Sequence, residues 1–186
     1  MLYLLIGATF SENIKKIFPK DTEQDIAEYA FDLTCTNCRE AHGSPVLINS
    51  FEKHEMPGSR GEASFLLKCK FCAKDLSINL TRCEDALYNP DNELNEEYFG
   101  TLKDKRKKRG LKNIDTQKAA ILEFDCRGCE ITNFHQDSVT FLAELNSGKI
   151  MEFKFEKGEN EWFDYDDDEN EEVSVTEFYQ EIVKGK

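Results

Sequence analysis

Tyr29-Ala-Phe-Asp-Leu-Thr-Cys35-Thr-Asn-Cys38 is the stretch on which the reading of this chain turns. Tyr29, Phe31 and Leu33 alternate with Ala30, Asp32 and Thr34, the period of a half-buried strand, and the strand runs straight into a Cys-x-x-Cys turn. Thirty residues later the arrangement returns: Ser64 to Lys68 leads into Cys69-Lys-Phe-Cys72, and Asp75 to Leu80 leaves it. Zinc prefers four ligands at tetrahedral corners and takes thiolate at about 2.3 Å. Two such turns facing each other close the tetrahedron with Cys35, Cys38, Cys69 and Cys72. Sulfur at every corner leaves no position for water or substrate, so one structural Zn2+ is expected. The thiolates make that site negative, and Arg39, Lys68, Lys70 and Lys74 crowd the turns as the expected offset. His42 is a further candidate ligand that the four cysteines make unnecessary.

Period-two patterning continues outward. Leu76, Ile78 and Leu80 share a face, as do Val139, Phe141, Ala143 and Leu145, and again Met151, Phe153 and Phe155. Helical signals are thin. Ser11 to Phe18 offers a turn or two and Asp21 to Glu28 opens with acids, but neither carries a long apolar stripe. The expected fold is mainly β: two related antiparallel lobes, sandwich- or barrel-like, with few short helices and a zinc-ribbon-like pair of knuckles in the first. Residues 1–88 form the expected zinc-binding lobe, 89–117 a polar and basic insertion or linker, and 118–186 a second lobe without a complete metal site. A weak echo supports the duplication: Phe31 to Glu40 and Leu122 to Ile131 each read as a strand ending in Cys-x-x-Cys.

The 186 residues carry 24 basic and 37 acidic side chains, a formal net charge of −13 that repels nucleic-acid phosphates and anionic lipid. The apolar start from Met1 to Phe10 lacks a basic flank and is too short for a secretory or membrane segment, so it reads as a first strand. Six of the seven cysteines fall in Cys-x-x-Cys pairs, which in a chain without an export signal points to metal in a reducing compartment. The cytoplasm is expected, or the nucleus. The third pair, Cys126 and Cys129, has only Cys83 and His135 as further donors. A second metal site, a thioredoxin-like redox pair and plain buried thiols all stay open for it. Lys103 to Lys112 holds seven basic residues and one acid; Asp164 to Glu172 holds seven carboxylates. Both read as solvated loops.

Met56 to Ser64 contains two glycines around Arg60 but lacks the ending of a phosphate loop. Trp162-Phe-Asp-Tyr-Asp166 reads either as a cap on the core or as a rim for a protein partner. No Ser/His/Asp or zinc-protease pattern is present, and His54 and His135 stand alone.

Taken together, the two knuckles, Gly58 to Ser64, Lys68 to Cys72, Glu123 to Gly128 and Trp162 to Asp166 resemble the eukaryotic CXXC-motif-containing zinc-binding protein family over nearly the whole chain. The resemblance implies zinc on Cys35, Cys38, Cys69 and Cys72 and a β-rich fold of two related halves. The basic run around Lys103 to Lys112 departs from the family, and Cys129 is not counted among its ligands. The expected function is non-enzymatic: a monomeric intracellular zinc protein that binds another protein, with neither nucleic acid nor membrane as partner. Two rivals stand beside it, thiol redox or metal handling at Cys126 and Cys129, and nucleic-acid binding by a zinc ribbon through Lys103 to Lys112.

Overall fold

A computed structural model describes residues 1–185. The strands are β1 (Leu2–Phe10), β2 (Ile14–Pro19), β3 (Tyr29–Cys35), β4 (Val46–Ile48), β5 (His54–Glu55), β6 (Glu62–Ala63), β7 (Phe65–Lys68), β8 (Asp75–Arg82) and β9 (Leu87–Tyr88). After the helix α1 (Glu96–Lys107) come β10 (Lys118–Arg127), β11 (Cys129–His135), β12 (Phe141–Leu145), β13 (Ile150–Phe153), β14 (Trp162–Asp166) and β15 (Glu171–Lys184). The largest sheet has the order β14-β15-β1-β10-β8-β7; a three-stranded sheet runs β11-β3-β4 and a four-stranded one β13-β12-β2-β9. All the pairings are antiparallel. The mainly β expectation holds. Each of these three sheets mixes strands from residues 1–88 with strands from 118–186, so the two stretches are interleaved.

The first strand has an unbroken apolar run because both its faces are covered. Leu4 and Ile6 enter the main core, while Tyr3 and Leu5 meet Leu111 and Ala120 on the other side. Strands covered on one side only keep their alternation, as Tyr29, Phe31 and Leu33 do on β3. Aromatic rings fill the space between sheets. Phe31 sits edge-on to Phe124 at 5.1 Å, and Phe153 stacks on Trp162 at 4.3 Å, which places Trp162 against the core. Such pairs contribute about 0.5–1.5 kcal/mol beyond their burial.

Two short-range expectations differ from the structure. Ser11 to Phe18 is largely the strand β2, because Ile14 and Ile17 are buried where it pairs with β12 and β9. Asp21 to Glu28 is a loop: buried Asp21 accepts from the Ala27 N–H at 3.1 Å and the Tyr29 hydroxyl at 2.9 Å. Within 89–117, the basic run lies partly on α1, which buries Leu102 and stacks Tyr98 on Tyr88 at 3.7 Å but carries no longer apolar stripe. Its anchor is Arg106, paired through two nitrogens with Glu84 at 2.7 and 3.0 Å and donating to the carbonyls of Ile114, Asp115 and Lys118. Among the described residues, no helix is long and apolar enough to cross a membrane.

Candidate metal centre

The turns after β3 and β7 are built alike. The Cys35 N–H donates to the Glu40 carbonyl at 3.0 Å and the Arg39 N–H returns to the Cys35 carbonyl at 2.9 Å. In the second turn, Cys69 donates to Lys74 at 2.8 Å and Ala73 to Cys69 at 2.9 Å. The residue after each second cysteine is left-handed, Arg39 at φ 67° and Ala73 at φ 60°. This sharp reversal turns both sulfurs of a pair to one side, and neither turn uses glycine to make it.

Facing each other, the two turns bring Cys35 Sγ within 3.7 Å of Cys72 Sγ, and Cys38 Sγ within 3.7 Å of Cys69 Sγ. All four sulfurs lie within 4.8 Å of one another. A tetrahedron with zinc–sulfur bonds of about 2.3 Å has edges of about 3.8 Å, whereas a disulfide would need about 2.05 Å. The donor set and its spacing therefore fit one zinc. Cys35 and Cys69 are buried, while Cys38 and Cys72 are half-buried. Because β7 belongs to the large sheet and β3 to the three-stranded one, a metal held here ties the two together.

Hydrogen bonds act on the two half-buried thiols in opposite directions. The Asn37 side chain and the Lys74 N–H pull the Cys72 thiol down to about 6. At Cys38 the Glu40 N–H likewise favours the thiolate, but burial and hydrogen bonds from the other three sulfurs hold the proton on, up to about 12. Among the described residues, Arg39, Lys68, Lys70 and Lys74 pair with no carboxylate, which leaves their charge free for the sulfurs. The backbone N–H of His42 donates to the Leu33 carbonyl at 2.8 Å, and its ring is not part of the ligand cluster. Asn37 and the left-handed pair Arg39 and Ala73 went unread in the sequence, since no residue type there announces the role.

The third cysteine pair has another geometry. Cys126 lies next to last on β10, Gly128 turns at φ 77°, and Cys129 opens β11 directly opposite Cys35. A side chain at 128 would meet the Asp75 carbonyl at 3.0 Å, so only glycine lets the chain pass here from one sheet to the next. Cys129 Sγ donates to the Ser77 carbonyl at 3.9 Å, and its interaction with Cys126 raises the Cys126 thiol and lowers that of Cys129. Among the described residues they join no group of three or more metal donors. His135 instead bonds Asp32 at 2.8 Å, and burial pushes the Cys83 thiol up to about 11.

Sheets of this order and four converging sulfurs define a mainly β protein stapled by one structural zinc. The chain belongs to the CXXC motif containing zinc binding protein family of eukaryotes, whose family model matches residues 3–183. It is 48% identical over 185 residues to UPF0587 protein YCR090C of Saccharomyces cerevisiae, covering 100% of this chain and 99% of that one. It is 30% identical over 174 residues to the human protein named CXXC motif containing zinc binding protein, covering 93% and 92%. In structure it resembles the crystal structure of C1orf123, with a TM-score of 0.72, 25% identity and 98% of each chain covered. A hypothetical protein from Plasmodium falciparum shares the fold at a TM-score of 0.70 and 19% identity, again over 98% of each chain.

Proposed function

We propose that this chain is a non-enzymatic, monomeric protein-interaction module whose zinc, on Cys35, Cys38, Cys69 and Cys72, maintains the scaffold. The closed set of four sulfurs carries the reading: thiolate at every corner leaves a bound zinc nowhere to activate water or polarise a substrate. Six of the seven cysteines fall in Cys-x-x-Cys pairs, a usage in keeping with metal binding in a reducing cell interior. A protein partner is favoured over nucleic acid by the net charge of −13. Within the basic run Arg106 is turned inward onto Glu84, while Lys103, Lys105, Lys107, Lys108 and Lys112 stay exposed.

Native mass spectrometry and elemental analysis test the metal half of this. One zinc per chain is expected, lost in Cys38→Ser with Cys72→Ser and retained in Cys126→Ser with Cys129→Ser. Affinity capture with and without intact knuckles tests the interaction half. Fast alkylation of Cys126 and Cys129 in the zinc-loaded protein would favour thiol chemistry instead. Retention on RNA or DNA at about 150 mM salt, lost on neutralising the basic run, would favour nucleic acid.

A further inference from the structure

The hairpin of β14 and β15 forms one edge of the largest sheet, and its hydrogen-bonding groups can be traced residue by residue. Ser174 on β15 commits both main-chain groups to its other flank. Its N–H donates to Ser11 Oγ at 3.0 Å, and its carbonyl accepts from the Ser11 N–H at 3.0 Å. Phe163 lies opposite Ser174 and so receives neither. In an antiparallel ladder the residue two positions on behaves alike. Accordingly the Tyr165 N–H is held by the carboxylate of its own neighbour, Asp164, at 2.7 Å. The main-chain groups of Phe163 and Tyr165 therefore point off the sheet, with nothing beyond β14 in the strand order to receive them.

The same two residues expose their rings, Phe163 by 65% and Tyr165 by 45%. Between β13 and these rings, Trp162 is stacked on Phe153, so the edge is held firmly against the core. Seven carboxylates lie between positions 164 and 172. Among the described residues, the only ion pairs of that run are those of Lys149 with Asp166 and Asp168, so the field around the edge stays strongly negative.

We propose that β14 is a docking edge for an extended, basic segment of a partner protein, which pairs with the main chain of Phe163 and Tyr165 and sets its cations among the hairpin carboxylates. This rests on the interaction-module reading and gives it a location and a partner chemistry. An incoming carbonyl takes the Tyr165 N–H in place of Asp164, and the freed carboxylate faces a lysine or arginine of the new strand. Main-chain bonds supply the affinity, and the exposed rings and acids supply the selectivity. A second copy of this chain is disfavoured at the edge, because two such acidic hairpins repel.

The test uses the full zinc-loaded chain and a labelled peptide of about ten residues alternating lysine and valine, read by fluorescence anisotropy. Saturable binding is expected, weakening as salt rises, with none for the glutamate–valine counterpart. Amide exchange should slow at Phe163 and Tyr165 and nowhere else. Tyr165→Pro removes one donor at a position a sheet edge tolerates, and should weaken binding by about 3- to 10-fold with zinc content unchanged. Phe163→Ala with Tyr165→Ala keeps the main chain and serves if proline disturbs the hairpin; it too should weaken binding. No binding at about 1 mM peptide, protection at other residues, or undiminished affinity in both variants overturns the proposal. A captured partner indifferent to these variants also refutes this edge while leaving the interaction reading standing.

Discussion

At one edge of the largest sheet, β7 runs into a knuckle whose sulfurs face those at the end of β3. At the other, β14 leaves the main-chain groups of Phe163 and Tyr165 unclaimed by any strand. The first edge is secured by four thiolates converging within 4.8 Å, the second by the stack of Trp162 on Phe153 and by Lys149 reaching Asp166 at 2.9 Å. One sheet thus ends in a clasp on one side and an open rail on the other. The difference teaches that the metal secures only what lies near it, and the hairpin far from it depends on ordinary packing and charge.

Stripping zinc with a chelator tests this most forcefully. It forfeits metal-binding free energy on the order of 10 kcal/mol, expected as a large fall in the calorimetric midpoint. Hydrogen exchange should quicken at Leu33 and Leu67 well before Val173 and Val175; simultaneous loosening of both ends would show that they are one cooperative unit. Trp162→Ala acts on the opposite end. Because the ring is only partly buried, a cost of about 2–3 kcal/mol is expected in urea titrations, with one zinc still bound.

Acid should separate the hairpin from its ion pair. The Lys149 ammonium beside Asp166, helped by the Asp168 N–H, holds the Asp166 carboxyl below the usual carboxylate range. Stability from this pair is complete above about pH 4, the unfolded value, and is lost as pH falls through the lower folded one. Asp166→Asn should therefore be less stable than the parent at neutral pH, and the gap should close towards pH 2 when Trp162 fluorescence follows unfolding. The smallest effect belongs to the clasp. Ala73→Gly relieves a left-handed alanine at some cost in chain entropy, for a net gain of about 0.5 kcal/mol and a rise of about 1–2 °C in midpoint.

The clasp was legible in the sequence because its chemistry resides in residue identity: four cysteines at Cys-x-x-Cys spacing, each pair after an alternating strand. The open edge was not. Which strand ends a sheet, and which way Phe163 turns its N–H, depend on Ser174 bonding Ser11, a contact made more than 160 positions away along the chain. Trp162 to Asp166 was readable only as core or rim, and the structure divides it, with Trp162 inward and Phe163 and Tyr165 outward. The helix α1 escaped notice for a similar reason, since Arg106 and Glu84 hold it where an apolar stripe would ordinarily do so. The resemblance between the first and third cysteine pairs was real in sequence but not in shape, because Gly128 turns two positions earlier in its motif than Arg39 does and sends the chain onward as a strand.

The position of β1 has a consequence for how the molecule is made. It lies between β10 and β15, so during synthesis it waits for its second neighbour until residues 171–184 have been made. The cysteine turns, complete by residue 72, have no such wait and are available to take up metal while most of the chain is still unmade. Long-range pairing of this kind is slow. A nascent polypeptide with Leu2 to Ile6 uncovered is exposed to aggregation throughout that interval, and its central sheet closes only once β15 is free to pair.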